Sequence, residues 1–275
     1  MKIAQLFEEY QNQLEQVGEE PEALAFVYRE LHDLNFTAFV FKMQEEALEE
    51  DRTEIKAIYE RLAAHEPAQY IVGSATFLGR QFSVDQRVLI PRPETEELVQ
   101  RILEENEGAG LHVLDIGTGS GAIALSLKAE RPSWQVTATD VSRDALSVAG
   151  ENAARLGVEI SLVESDVFNA VEGPYEIIVS NPPYIDWEDK EEVGLNVLVS
   201  EPHLALFAEN AGYAIYERLA REAKDYLAPG GKIYLEIGYK QGAGVKGLFE
   251  AAFPKGSVQV LKDQFGQDRM VVVHG

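Results

Sequence analysis

The residues best suited to chemistry in this sequence are Asn181-Pro182-Pro183-Tyr184. They follow residues 177–180, an Ile-Ile-Val-Ser run whose β-branched side chains favour a buried strand. Proline has no N–H for a strand ladder, so we expect the strand to end at Pro182. Asn181 Oδ1 and the Pro182 carbonyl can then accept both hydrogens of one planar –NH2 group, with Tyr184 packed on its face. The segment predicts a receptor for an amide or amino nitrogen, and its alternative is a structural Pro-Pro turn.

A second group of candidate residues forms a glycine-rich loop between a predicted strand and a predicted helix. The loop consists of Gly117, Thr118, Gly119, Ser120 and Gly121. Glycines let the backbone approach a ligand closely, and the start of the next helix adds free N–H groups. With Ala122 the loop also matches the dinucleotide fingerprint, so it predicts a nucleoside ligand without separating NAD from S-adenosylmethionine. Asp115, just ahead of the loop, favours S-adenosylmethionine because an acid there can meet a ligand ammonium group; its alternative is a hydrogen bond within the loop.

Polar residues also follow the next two predicted strands. Asp140 ends the second strand, where a carboxylate can bind two ribose hydroxyls. The alternative is that Asp140 caps the following helix together with Ser142. Asp166 and Phe168 follow the third strand, where a carboxylate and a ring can hold an adenine; for Phe168, core packing is the alternative. These residues predict a nucleoside site at the same edge of the sheet.

Strands and helices alternate regularly from residue 111 onward. The predicted strands are 111–115, 135–140, 159–164, 175–180, 232–236, 258–262 and 270–274. Helices between strands predict an α/β fold with a mostly parallel, doubly wound sheet that is covered on both faces. The last two strands have no helix between them, so we expect them to pair antiparallel.

The first part of the chain has a different pattern. Residues 1–66 carry apolar side chains at helical spacing and predict a small helical domain, which we interpret as a docking domain for a partner protein. Residues 67–90 predict a β-hairpin linker, with strands at 70–72, 75–77 and 81–84. Residues 91–275 form the predicted catalytic domain.

Composition narrows the possible partners and compartments. The formal charge is −23, and so acidic a surface repels phosphate backbones, which disfavours nucleic acid and favours a basic protein partner. The chain has no cysteine, and we predict no metal site. It shows no signal peptide and no apolar run of membrane-spanning length, so we expect a cytoplasmic protein with no membrane partner.

Taken together, these motifs resemble class I methyltransferases that act on planar nitrogen, and most closely the release factor glutamine methyltransferase family of the HemK/PrmC type. The further matching stretches are Tyr70-Ile71-Val72-Gly73, Leu89-Ile90-Pro91-Arg92-Pro93-Glu94-Thr95-Glu96, Glu201-Pro202, Ala205-Leu206, Glu236-Ile237-Gly238 and Gln241-Gly242. The resemblance covers residues 67–275. One stretch departs from the family pattern: after Leu206 the family often has Gly-Gly-x-Asp-Gly, where this chain has residues 207–212, Phe-Ala-Glu-Asn-Ala-Gly.

The resemblance implies methyl transfer from S-adenosylmethionine to the glutamine of the Gly-Gly-Gln loop of class 1 peptide release factors. It implies that residues 117–121, Asp140 and Phe168 bind the cofactor. Asn181 then serves both cofactor and substrate, and Pro182, Pro183 and Tyr184 complete the glutamine pocket.

Several alternatives remain open at the level of the sequence. An adenine-N6 methyltransferase on DNA or RNA shares the Asn-Pro-Pro-Tyr motif but needs a basic groove, and an NAD-dependent oxidoreductase leaves that motif unexplained. Arg92 and Glu94 form either a structural ion pair or a contact with the methionine end of the cofactor. Glu236 ends a strand at the binding edge, where we expect a structural role.

Overall fold

A computed structural model describes all residues, 1–275, and shows twelve α-helices and eleven β-strands. The helices are α1 (Ile3–Gln16), α2 (Glu22–Leu31), α3 (Phe36–Lys42), α4 (Glu49–Ala63), α5 (Ala68–Val72), α6 (Pro93–Glu105), α7 (Ala122–Glu130), α8 (Arg143–Leu156), α9 (Leu195–Ser200), α10 (His203–Leu206), α11 (Ala214–Glu222) and α12 (Gly242–Ala252). The strands are β1 (Ser74–Phe77), β2 (Arg80–Ser83), β3 (His112–Ile116), β4 (Gln135–Asp140), β5 (Ser161–Glu164), β6 (Tyr175–Ser180), β7 (Ile185–Asp186), β8 (Phe207–Ala208), β9 (Leu227–Glu236), β10 (Ser257–Lys262) and β11 (Asp268–His274). None of the helices combines the length and the apolar composition needed to cross a membrane.

The chain divides into two compact units. The N-terminal unit consists of Met1–Ser74 together with Val193–Ser200, and the larger unit consists of Ala75–Glu192 and Glu201–Gly275. The N-terminal unit is helical, and its core is formed by apolar side chains that recur every three to four residues on α1, α2 and α4. Its second segment carries α9, where Ser200 Oγ donates a hydrogen bond to the His65 carbonyl over 2.9 Å.

One predicted strand is wrong. Residues 70–72 belong to α5, which starts after Pro67 and ends at Gly73 in the left-handed conformation, with φ of 78°. A short apolar run fits a buried helix as well as a strand, and here a proline and a glycine bracket one helical turn. The other two strands of the predicted hairpin are present as β1 and β2.

The larger unit is built on a seven-stranded sheet with the order β10-β11-β9-β6-β3-β4-β5. The five strands from β9 to β5 in that order are parallel, whereas β11 is antiparallel to both of its neighbours. One face packs against α11 and α12 through a buried cluster that includes Leu219 and Phe249, and the other packs against α6 and α7 through Leu98 and Leu125. The mostly parallel doubly wound sheet and its antiparallel final pair are confirmed.

The stretch that departs from the family pattern contains three consecutive left-handed residues. Asn210, Ala211 and Gly212 have φ of 56°, 54° and 80°. Only glycine fits at position 212, because a Cβ there would lie 2.1 Å from the Tyr184 carbonyl oxygen. Asparagine adopts this conformation with the help of its short polar side chain, whereas alanine adopts it only at an energetic cost, because its Cβ lies too close to the following carbonyl oxygen. Ala211 is therefore a strained residue close to the Asn-Pro-Pro-Tyr motif.

We expect Ala211→Gly to raise the free energy of unfolding by about 0.5–1 kcal/mol, because glycine removes the Cβ strain at a small cost in unfolded-state entropy. Urea denaturation of the variant and the wild type measures the change. Gly212→Ala is the paired control and should destabilise the protein. A loss of stability in Ala211→Gly would contradict the strain at this position.

Candidate active site

The carboxyl ends of β3, β4, β5 and β6 border one cavity of about 380 Å3. Because β3 pairs with both β4 and β6, the strand order reverses there, and such a point is where open α/β sheets bind ligands. The predicted site residues on the cavity wall are Gly117, Gly119, Asp140, Asp166, Asn181, Pro182 and Pro183. Residues from the glycine loop and from the Asn-Pro-Pro-Tyr motif thus share one cavity.

The glycine loop is held open toward this cavity. The N–H groups of Gly117 and Thr118 both donate to the Thr139 carbonyl at the end of β4, each over 2.9 Å. Gly117 and Gly119 have φ of 74° and 55°, and a Cβ at either position would meet no atom within 4 Å. The two glycines therefore leave space for a ligand where side chains would stand.

Asp140 combines a structural role with access to the cavity. Its Oδ2 accepts a hydrogen bond from Gly119 N and its Oδ1 accepts one from Ser142 N, both over 2.9 Å. Ser142 in turn caps α8 by accepting from Ala145 N. Burial raises the pKa of Asp140, although the hydrogen bonds from the Ser142 and Gly119 backbone oppose this effect. The Val141 backbone also hydrogen-bonds the carboxylate, which leaves one of its four lone-pair sites to accept from a hydroxyl of a ligand.

Asp115 is completely buried beneath the loop and does not line the cavity. Its Oδ2 accepts from Thr118 Oγ1 over 2.6 Å and from Ala124 N over 3.2 Å, so the side chain joins the loop to α7. Its Oδ1 has no hydrogen-bond partner. Burial raises the pKa of the Asp115 carboxyl to about 7. The hydrogen bond within the loop is present, and ammonium recognition stays a prediction.

The structure places the other predicted site residues away from the cavity wall. These are Thr118, Ser120, Gly121, Phe168 and Tyr184. The Phe168 ring is buried and stacks on Tyr226 at 4.5 Å between ring centroids. Asp166 lines the cavity, but its carboxylate forms an ion pair with Arg218. Adenine contact by Asp166 and Phe168 therefore stays a prediction.

The cavity residues fit the nucleoside cofactor that the sequence predicts. The glycine loop leaves an open cradle, and Asp140 offers a carboxylate oxygen for a hydroxyl of the ligand. Apolar side chains that suit the faces of a flat base complete the wall: Val88, Leu89, Ile116, Val141, Val167 and Ile215. A mostly apolar wall with a few convergent polar groups is typical of cofactor sites.

Asn181 belongs to a hydrogen-bonded chain of three side chains. Asn181 Nδ2 donates to Thr95 Oγ1 over 3.2 Å, and Thr95 Oγ1 donates to Glu236 Oε2 over 2.6 Å. Thr95 lies in the first turn of α6, and Glu236 is the last residue of β9. Burial raises the pKa of Glu236 to about 7, while the hydrogen bond from Thr95 and the charge of Arg269 act in the opposite direction.

Tyr184 is fixed through its backbone. Gln241 Nε2 donates to the Tyr184 carbonyl over 3.0 Å, while Gln241 Oε1 accepts from Gly238 N over the same distance. Burial, assisted by the charge of Glu236, raises the pKa of the Tyr184 phenol to about 12. The phenol therefore stays protonated near neutral pH and is unsuited to act as a base.

The predicted partnership of Arg92 and Glu94 is replaced by another ion pair. Arg92 Nη2 binds Glu201 Oε1 over 2.5 Å, and Glu201 Oε2 accepts from Ile90 N over 3.0 Å. The Glu201 side chain is fully buried. Arg92 and Glu201 are 109 residues apart, so sequence spacing carries no sign of their contact.

Sequence reasoning assigned no role to Thr95, Gln241 or Glu201. Each lies in a stretch through which the chain resembles the methyltransferase family, and this was the only available signal. Their contacts to the Asn-Pro-Pro-Tyr motif, or to the segment before α6, appear only once the strands are assembled.

Two family models match the chain. One, described as "Methyltransferase small domain", matches residues 93–206, and the other, described as "PrmC N-terminal domain", matches residues 5–73. The first match supports S-adenosylmethionine over NAD as the ligand of the glycine loop.

Curated relatives match over nearly the whole chain. A release factor glutamine methyltransferase of Streptococcus pneumoniae (strain ATCC BAA-255 / R6) is 59% identical over 274 residues, which cover 99% of this chain and 98% of the relative. One of Lactococcus lactis subsp. lactis (strain IL1403) is 48% identical over 255 residues, which cover 93% and 94% of the two chains.

Among solved structures, a methyltransferase from Pyrococcus furiosus superposes with a TM-score of 0.55 at 21% identity. The match covers 81% of this chain and 96% of the other. At this level of identity the likeness concerns the fold, and together with the methyltransferase family model over residues 93–206 it confirms the predicted class I methyltransferase fold.

The buried Asp115 predicts a pH dependence of stability. Its pKa rises from an ordinary 3.8 to about 7 on folding, so the native state binds the proton more tightly than the unfolded state. The resulting stability is complete below pH 4 and is lost as the pH rises through 7. Relative to Asp115→Asn, the free energy of unfolding of the wild type should fall by roughly 2–4 kcal/mol between pH 4 and pH 8.

Urea denaturation at several pH values measures this difference. Asp263→Asn is a control of opposite sign, because the burial of Asp263 is outweighed by hydrogen bonds from Gln267 N and Arg269, which lower its pKa. Parallel stability profiles for the wild type and Asp115→Asn would contradict the raised pKa.

Proposed function

We propose, since the chain belongs to the release factor glutamine methyltransferase family, that it methylates the side-chain nitrogen N5 of a glutamine in peptide chain release factors. The chain is an S-adenosylmethionine-dependent methyltransferase. The target within the release factor is the glutamine of the Gly-Gly-Gln loop of class 1 factors. The relatives do not favour the alternative of an adenine-N6 methyltransferase on nucleic acid.

The observation that carries the proposal is the shared cavity. Asn181 and Pro182, which suit a planar –NH2 group, border the same space as the glycine loop and Asp140, which suit a nucleoside. An amide nitrogen and a methyl donor can therefore be bound side by side. Bringing two reactants together in one site removes much of the entropic barrier to their reaction.

The residues that hold the cofactor in this proposal are Gly117, Gly119 and Asp140. When bound, S-adenosylmethionine supplies an electrophilic methyl group on its sulfonium centre. Asp140 binds a ribose hydroxyl, and the backbone of the loop approaches the ligand without interference from side chains.

Asn181 and Pro182 orient the substrate. An amide nitrogen is a weak nucleophile because its lone pair is delocalised into the carbonyl group. Asn181 Oδ1 and the Pro182 carbonyl accept the two hydrogens of the substrate –NH2 group and direct the nitrogen at the methyl group. The same two acceptors stabilise the positive charge that develops on nitrogen during transfer. Tyr184 does not line the cavity, so we propose that it supports this motif as a neutral phenol, and Pro183 keeps the turn rigid.

We assign the N-terminal helical unit a docking role for the release factor. The acidic chain, with 47 Asp and Glu against 24 Lys and Arg, suits a basic protein partner. It does not suit direct nucleic-acid binding, which depends on basic side chains. We propose the cytoplasm as the compartment of the protein.

The first test is methyl transfer from labelled S-adenosylmethionine to a purified class 1 release factor. We expect label on the wild-type factor and none on a factor whose loop glutamine is changed to alanine. Label on both factors would place the modified residue elsewhere. Cofactor binding without label on either factor would overturn the proposed substrate.

The second test separates substrate orientation from cofactor binding. Asn181→Ala should lower kcat by about 100-fold or more, as expected when a preorganised polar contact at the reacting centre is lost, with little change in the Kd for S-adenosylmethionine. Asp140→Asn should affect cofactor binding more than kcat. Its Kd for S-adenosylmethionine should rise by roughly 10-fold or more, because a charged hydrogen-bond acceptor is lost. Isothermal titration calorimetry and initial rates measure both. A near wild-type kcat for Asn181→Ala would exclude the amide clamp.

A further inference from the structure

The Asn181 side chain contacts Thr95, and Thr95 in turn contacts Glu236. The three groups are joined by hydrogen bonds of 3.2 Å and 2.6 Å. Thr95 and Glu236 are both buried, with 5% and 2% of their surface exposed, whereas Asn181 reaches the cavity. Neither Thr95 nor Glu236 lines the cavity, and Asn181 also hydrogen-bonds the Glu236 side chain directly, so both residues reach a ligand through Asn181.

The chemistry of the three groups fixes the direction of the hydrogen bonds. An ionised carboxylate only accepts, so Glu236 must receive the Thr95 hydroxyl proton. Thr95 Oγ1 then has lone pairs but no second proton, so it accepts from the amide of Asn181. The donor on Asn181 must be Nδ2, which leaves Oδ1 without a bond in this chain. The carboxylate at one end thereby determines which atom of Asn181 remains for a ligand.

We propose that Glu236 and Thr95 are positioning residues that hold the Asn181 amide with Oδ1, rather than Nδ2, directed at the substrate nitrogen. The inference rests on the proposed function, in which the substrate presents an –NH2 group. A rotated Asn181 would present its own N–H donors to that group, and two sets of donors cannot bond to each other. The two orientations of the Asn181 amide differ little in shape, so packing alone does not select between them. The hydrogen bonds with Thr95 and Glu236 make that selection.

Charged and titratable groups from several elements face Glu236. Glu94 lies on α6, Arg269 on β11 and Tyr184 after β6, and all three act electrostatically on the Glu236 carboxyl or are acted on by it. Tyr216 on α11 donates its hydroxyl to the Glu236 backbone carbonyl over 2.7 Å. Because burial outweighs the favourable partners, the pKa of Glu236 is raised to about 7.

This environment gives the arrangement a pH dependence. A protonated Glu236 can donate to Thr95, which frees the Thr95 hydroxyl to donate to Asn181 Oδ1 and removes the preference for the active orientation. The correct orientation is therefore secured only above the pKa of Glu236. We expect kcat to fall as the pH drops below about 7, with the acidic limb set by Glu236.

Substitutions of Thr95 test the proposal through kcat and the Kd for S-adenosylmethionine. Thr95→Val keeps the shape of the side chain but removes the hydroxyl, and should lower kcat by about 10- to 100-fold at an unchanged Kd for S-adenosylmethionine. Thr95→Ser restores the hydroxyl and should recover most of kcat. Ser126→Ala is the matched control. Ser126 lies on α7 and its buried hydroxyl has no hydrogen-bond partner, so this variant should keep the wild-type kcat and Kd.

The pH profile separates positioning from simple packing. Glu236→Gln cannot ionise and should abolish the acidic limb, with a lowered, flat kcat between pH 6 and 8. Asp115, whose pKa is also about 7, is the competing source of such a limb. Asp115→Asn should keep the limb if Glu236 causes it. Retention of the limb in Glu236→Gln would overturn the proposal.

A spectroscopic readout keeps the inference independent of the substrate. In protein labelled with 15N at asparagine, the side-chain amide signal of Asn181, identified by its loss in Asn181→Ala, should shift with pH around 7. The shift should be absent in Glu236→Gln and smaller in Thr95→Val, because Asn181 also hydrogen-bonds Glu236 directly. A pH-independent Asn181 signal in the wild type would overturn the inference even if the release factor is methylated. The expected shift without methylation would instead overturn the proposed substrate alone.

Discussion

The site depends on the parallel pairing of four strands whose carboxyl ends stop at the same edge of the sheet. In register, Ile116 of β3 lies beside Ser180 of β6 on one side and Thr139 of β4 on the other. Side chains lock these ends together, since Ser180 Oγ donates to the Ile116 carbonyl and Thr139 Oγ1 to that of Asp115. The loops that follow these strands therefore start at the same edge and line a common cavity. Residues more than sixty positions apart in the chain thus become neighbours in chemistry.

This constraint explains how much of the molecule could be predicted. The alternation of strands and helices predicted the sheet, and the rule that parallel strands end together brought Gly117, Asp140 and Asn181 to one edge. The helix at residues 68–72 escaped prediction because a five-residue apolar run has no periodicity of its own. The contact of Thr95 with Glu236 also escaped it. Those residues are 141 positions apart, and no local pattern encodes which buried hydroxyl a buried carboxylate meets.

Buried acids organise the site, although the protein carries most of its many acids on the surface. Asp115 ties the glycine loop to α7, Glu201 joins Arg92 to the backbone of Ile90, and Glu236 is linked to Asn181 both directly and through the Thr95 hydroxyl. Each of the three is almost fully removed from water, where a carboxylate demands several partners. That demand fixes loops that would otherwise be free to move. Exposed acids contribute to the surface charge, whereas these three buried acids hold the surrounding loops in place.

The division of the chain has a consequence for its synthesis. The N-terminal unit consists of Met1–Ser74 and the distant segment Val193–Ser200, so the polypeptide passes between the two units three times. Domains generally fold as they leave the ribosome, with the first-made part leading. Here the first-made unit stays without α9 until residue 200 has emerged, by which time β3 to β6 have already been synthesised. The two units therefore cannot mature strictly one after the other, and a fragment ending at residue 74 is a unit with one of its helices missing.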